Sequence, residues 1–277
     1  MLPLSVVARD TGMLTEPVAI VWTDKKPKGA LEFKTGVWGC VMWLFAKVAH
    51  DGRTAVFSRE TIGCAGGAMG LGFGRPFAQH VGRTEDGFSC FLSNGAACAP
   101  NREEYEGIID RSPDARHKKM LREGERLMRD PAVVKKFLAN LPVFDVKEKY
   151  IVLKPLSQVE EGEIVRSVVF CANADQIAAL SILANYRTGA VRDGIVVAAG
   201  AAGCQALGVC TYAEDGKVTP RAVVGLTDIS ARKAVRNVLG NDKLTFSVPY
   251  SLYREMESDV PDSFLQLDLW KELRDSV

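Results

Sequence analysis

The sequence predicts an α/β (or α+β) fold built on a mixed, mostly buried sheet. Three observations lead there. Short runs of β-branched and aromatic residues recur, as in Pro17-Val-Ala-Ile-Val-Trp22 and Ile164-Val-Arg-Ser-Val-Val-Phe-Cys171. Helical stretches separate those runs, the alternation typical of α/β proteins. The order strand, helix, strand, Gly-Cys, small residues occurs twice.

In chain order, strand 17–22 ends in the Lys/Pro/Gly loop Asp24 to Gly29. Residues 38–50 read as a helix with almost no polar face, hence a buried one, closed by Asp51-Gly52. Strand 54–57 then leads to Gly63-Cys64 and a glycine run reaching Gly74. The stretch 82–100 is rich in turn residues and carries Cys90 and Cys98. Residues 101–142 form a charged helical excursion on the surface. Within it, Asp130-Pro131 caps a helix over 132–140 that Pro142 stops.

Residues 151–156 read as an edge strand, because Pro155 cannot donate to a ladder. A strong strand over 164–171 and an amphipathic helix over 175–186 follow, the helix ended by Thr188-Gly189. Strand 195–199 leads to Gly203-Cys204, and the turn 214–217 to strand 221–226. Asp228 opens a helix, 244–248 is a strand, and 262–275 is a C-terminal helix. The matching orders suggest two similar interlocked halves, 10–100 and 151–255, inside one globular unit of 1–277. Simple recurrence of βαβ-like units explains the match as well, and a chain of two domains joined near 143–150 is the rival architecture.

With 47% apolar and 25% charged residues in 277, the composition is that of an ordinary soluble globular chain, which excludes disorder. A net charge of +1 removes the footprint of a dedicated nucleic-acid binder. The N-terminus lacks the pattern of a secretory signal. The uncharged stretch Ile195 to Ala213 is dominated by Gly and Ala and reads as strand, turn and helix rather than as a membrane span. Seven cysteines, an odd number without an export signal, imply reduced thiols and a cytoplasmic location. With three histidines, a metal site must lean on sulfur or carboxylate.

The two Gly-Cys turns are the candidate site. A glycine turn exposes backbone N–H groups and lets a bulky group approach, so it suits a phosphate or the sulfides of a cluster. A thiol at a helix start is expected to have a lowered pKa. Cys40, Cys64 and Cys204 are the candidate metal ligands, a set that suits a non-ferredoxin iron–sulfur cluster or another thiolate-bound metal with an open position. No C-x-x-C is present, so zinc-ribbon and ferredoxin patterns lose their usual support. All three cysteines could equally pack as small hydrophobes, the role expected of Cys171 and Cys210. Gly63, Gly66, Gly67 and Gly203, with Arg232 at a helix start, are candidate cofactor-binding residues. They could hold a small anionic metabolite or nucleotide cofactor instead, as a binding module or an enzyme. The charges of 102–129 read as a solvated face. The expected partners are therefore a small molecule or metal cofactor, with a homo-oligomer open and with no nucleic acid or membrane. Cys64 and Cys204 are expected to be neighbours in space, because equivalent turns of two paired halves would face one crevice.

Several of these residues together resemble the uncharacterised domain-of-unknown-function 169 family (DUF169) of bacteria and archaea. They are Pro17-Val18-Ala19, Gly39-Cys40, Gly70-Leu71-Gly72 after Cys64, Lys154-Pro155-Leu156, strand 164–170, Cys204 and Ser230-x-Arg232. The resemblance covers about residues 10 to 255. It implies a cytoplasmic protein, often of anaerobic or metal-rich metabolism, with cysteines at the positions of Cys40, Cys64 and Cys204. It carries no established activity. The excursion 102–142 and the pair Cys90/Cys98 depart from the family pattern.

Overall fold

The computed structural model describes residues 5–275, and among these there are thirteen α-helices and one seven-stranded mixed sheet. The chain opens with α1 (Val6–Asp10) and β1 (Val18–Thr23). Helix α2 (Val41–Asp51) crosses to β2 (Ala55–Phe57), and α3 (Ala65–Leu71) follows. Five helices come next: α4 (Phe77–His80), α5 (Glu85–Asn94), α6 (Arg102–Asp110), α7 (Ala115–Glu123) and α8 (Pro131–Asn140). Strands β3 (Tyr150–Pro155) and β4 (Ile164–Ala172) lead to α9 (Ala174–Ala184) and β5 (Ile195–Val197). The short α10 (Gly203–Gln205) runs into a π-helical turn, Ala206–Cys210. Strand β6 (Ala222–Gly225), α11 (Ile229–Leu239), β7 (Leu244–Pro249), α12 (Tyr250–Asp259) and α13 (Asp268–Asp275) complete it.

The strand order is β2-β3-β1-β4-β7-β6-β5. All neighbours are antiparallel except β5 and β6. Side chains alternate between two cores, as the two-residue period of a strand requires. Val18 and Ile20 of β1 face one core, with α2, α3, α5 to α8 and α11. Ala19 and Val21 face the other, with α1, α9, α12 and α13. The result is three layers, helices on both faces of a buried sheet.

Local signals account for the helix starts. Asp130 accepts from the Val133 N–H at 2.9 Å, and Asp228 from the Ala231 N–H at 2.8 Å. Asn173 and Gln176 form a capping box at α9. Other expectations need correction. Strand β3 is not at the edge but lies between β2 and β1. Its proline is tolerated because it ends the strand. The next N–H, of Leu156, bonds the Pro17 carbonyl at 2.9 Å, so the Pro155 nitrogen faces the side where β2 has already stopped. The turn-rich stretch 82–100 contains α5, started by Thr84 and packed through Phe88, Phe91 and Leu92. Cys90 and Cys98 are joined as a disulfide, so the general reading of reduced thiols does not hold for this pair.

The two strand–helix–strand units keep the same element order, and in each the two strands run parallel. They differ in the face their crossing helix covers: α2 packs in one core and α9 in the other. No helix among the described residues is long and apolar enough to cross a membrane.

Candidate functional site

Cys40 is the N-cap residue of α2, one position before the helix it was expected to lie on. Its side chain makes no capping bond. The turn before Cys64 packs tightly against the segment leading into α2: a Cβ on Gly63 would lie 2.0 Å from the Val37 carbonyl oxygen. Only glycine fits there, and the contact brings the approaches to Cys40 and Cys64 together. Cys64 caps α3, its sulfur accepting from the Gly67 N–H at 3.4 Å.

Cys204 comes from the other end of the sheet. Its thiol donates to the Gly66 carbonyl at 3.5 Å, two residues past Cys64 and 138 residues away in sequence. The expected neighbourhood of Cys64 and Cys204 is therefore present. What creates it is a helix crossing. Gly66 and Gly70 on α3 face Cys204 and Gly208 at the same four-residue spacing, and a Cβ on Gly208 would fall 2.1 Å from the Gly70 carbonyl oxygen. Gly208 also carries the kink of the π-helical turn, with φ −100° and ψ −107°. Small residues four apart on both partners were a readable signal of this close approach.

The three cysteines line one cavity of about 1730 Å³. Gly63, Gly66 and Gly203 line it as well. Gly67 does not, but its N–H serves Cys64 from behind. Arg232 is elsewhere, donating to the carbonyls of Lys243 (3.1 Å) and Asn241 (2.8 Å). Two acids that sequence reasoning missed complete the floor. Asp228 is 2% exposed; its Oδ2 accepts from Ala231 and from the Ser230 hydroxyl, while Oδ1 has no partner. Glu125 follows α7 and faces the same cavity. The excursion 101–142 therefore does more than present a solvated face, since Leu121, His117 and Glu125 wall the cavity. Trp43, 37% exposed on the outer side of α2, lines it too and packs edge-on against Trp38.

The electrostatics of the floor are uniform in sign. Burial pushes the Cys40 thiol up to about 12, with Cys64 adding to the effect. Burial likewise raises Cys64, outweighing the Gly67 and Gly66 N–H groups, so the lowered pKa expected at a helix start is not found. Cys204 is raised well above its ordinary value by burial, then by Cys64, Cys40 and Asp228. Glu125 is held at about 7 by burial and by the neighbouring Asp228. Burial is the largest cause in each case, the neighbouring acids add to it, and a cation placed among them would act in the opposite direction on every group.

The donor set is sulfur and carboxylate, as three histidines required. Among the described residues no three His, Cys, Asp or Glu side chains are grouped to hold one metal ion. A single tetrahedral ion with Zn–S bonds near 2.3 Å needs its sulfurs roughly 3.8 Å apart. A polynuclear cluster distributes its thiolates over several irons and does not impose that spacing. Cys171 lies in the sheet core, 8% exposed, and Cys210 is partly buried; neither lines the cavity.

Comparison with curated proteins and with solved structures gave no match. A family model does match, over residues 8–259, on the same residues that form the sheet and all three cavity cysteines, and the chain belongs to that family, DUF169 (Uncharacterised ArCR).

Proposed function

We propose that this protein carries an iron–sulfur cluster, or another thiolate-bound metal centre, held by Cys40, Cys64 and Cys204. The observation that carries the reading is convergence: three cysteines from three separate segments line one cavity whose floor also presents the unpartnered Oδ1 of Asp228. Buried carboxylate oxygens are normally satisfied, so that atom, with only the Gly203 N–H beside the carboxyl, leaves room for a further donor or a cation. A cluster asks for a less strict sulfur spacing than a single ion does. When bound, it would supply one-electron or Lewis-acid chemistry at an open position, and redox work, sensing or delivery are the roles this suits.

The chain's own groups have defined tasks in this reading. The Gly67 N–H directs the Cys64 sulfur and damps its charge. Burial keeps the thiols protonated until a cation arrives, so loading releases protons and is favoured by rising pH. Cytoplasmic location is part of the proposal. The test is purification without oxygen followed by iron and acid-labile sulfide analysis and an absorption spectrum. Colourless, metal-free protein after such handling would overturn the reading.

A further inference from the structure

The cavity changes character from floor to mouth. Cys204 and Asp228 at the floor are buried, whereas the mouth carries exposed or half-exposed charged residues of both signs. Six basic residues line it there against four acidic ones. Three of the basic groups are already paired: Arg59 with Asp145 (2.8 Å), Arg83 with Glu104 (3.3 Å) and Lys233 with Asp114 (2.8 Å). The guanidinium groups of Arg75, Arg111 and Arg116 have no hydrogen-bond or ion-pair partner among the described residues.

Arg75 is unusual in a second respect. Its φ is +62°, a left-handed conformation that a long side chain rarely adopts, and it follows Gly74 at φ +74°. The surroundings impose this. The Gly74 N–H donates to the Phe144 carbonyl at 2.7 Å, the Gly74 carbonyl is bonded by the His80 ring, and Phe73 bridges to Asp145. A glycine would sit there without strain, yet an arginine is held on this rigid turn beside the cavity. Strain kept in place by its neighbours, with the charge left unspent, points to a ligand. Space is available, since about 1730 Å³ exceeds the roughly 300–1,000 Å³ of ordinary ligand sites. Trp38 and Phe77 also line the cavity, Trp38 held against Trp43 and His117 and Phe77 against Phe88.

We propose that Arg75, aided by the unpaired charges of Arg111 and Arg116 elsewhere on the lining of the same cavity, forms an anion-recognition subsite for a small organic molecule with a carboxylate or phosphate head and a flat apolar body. Guanidinium groups bind both heads bidentately, and the rings take the body. The subsite goes beyond the thiol floor and does not require a metal there.

The test uses full-length protein purified without oxygen, titrated by calorimetry at low salt with benzoate and with phenyl phosphate. At least one probe should bind in the millimolar range or tighter, and the better head identifies the source of the anion. Arg75→Gly removes the guanidinium and relieves the backbone, so it should weaken binding about tenfold or more without lowering the melting temperature. Arg75→Lys should retain part of the affinity, and the double change Arg111→Ala/Arg116→Ala should weaken it further. Iron and sulfide measured on the same samples separate the two sites: binding that depends on Arg75 in metal-free protein upholds this subsite while removing the cluster. No binding of either probe, or equal binding to wild type and Arg75→Gly, would overturn it.

Discussion

Cys64 and Cys204 are satisfied in opposite senses, one accepting an N–H and the other donating to a carbonyl, and both bonds involve α3. Serine at 40, 64 or 204 would keep the small polar shape but lose the soft ligand. Each change should lower iron and sulfide content by at least about tenfold, given that even indirect ligand support is worth 10–100-fold. Cys171→Ser, in the sheet core away from the cavity, should leave the metal content unchanged, and the assay is metal and sulfide per chain. The carboxyl of Glu125 makes a separate prediction for the metal-free protein. Burial holds it at about 7, above its ordinary 4.5, so the folded chain binds this proton more tightly than the unfolded chain. That contribution to stability is complete below about pH 4.5 and is lost as pH rises through about 7. Asp228 is raised too and acts with the same sign. Glu125→Gln removes the titration, so it should melt higher than wild type near pH 8 and converge with it near pH 5 in calorimetry. A variant that melts lower at the alkaline end would contradict this account.

Helix α3 and the π-helical turn touch backbone to backbone, which only Gly70 and Gly208 permit. Gly208→Ala should cost about 1–3 kcal/mol, the usual range for overpacking, and should move Cys204 away from Gly66. A urea titration reads the first effect and metal content the second; an unchanged midpoint would mean that the two segments slide apart freely. Most elements were legible because their signals are local: β-branched runs for the strands, and Asp130 and Asp228 as helix caps. Helix α5 was not, since Gly82, Gly87, Asn94 and Gly95 imitate a loop while its apolar face appears only at Phe88, Phe91 and Leu92. The position of β3 depends on which strands flank it, and no local pattern records that. Cys64 and Cys204 were found by their Gly-Cys turns, and Cys40 by its place on the buried helix just before the first of them. Asp228 was seen only as a cap and Glu125 was hidden among surface-like charges, because burial is a tertiary property. Arg232 looked like an anion holder at a helix start, but its reach is taken up by the carbonyls of the loop before β7.

At the level of the whole chain, the order β2-β3-β1-β4 bears on what a cut near 143–150 would do. A fragment ending there would contain β1 and β2 but not β3, the strand that lies between them. Both strands would then lose their shared partner, and β1 would lose β4 as well. The complementary fragment would expose the edges of β3 and β4 that β1 normally separates. Unpaired edges of this length are templates for aggregation rather than stable surfaces. The cavity has the same dependence, since Cys40 and Cys64 come from one side of the cut and Cys204 and Asp228 from the other. Fragments 1–145 and 146–277 expressed separately should therefore be unfolded or aggregated, and should regain a cooperative melt and any metal only when produced together. Circular dichroism melting of each fragment checks this. Two independently folding pieces with sharp transitions of their own would restore the two-domain architecture and place the thiol site at an interface between them.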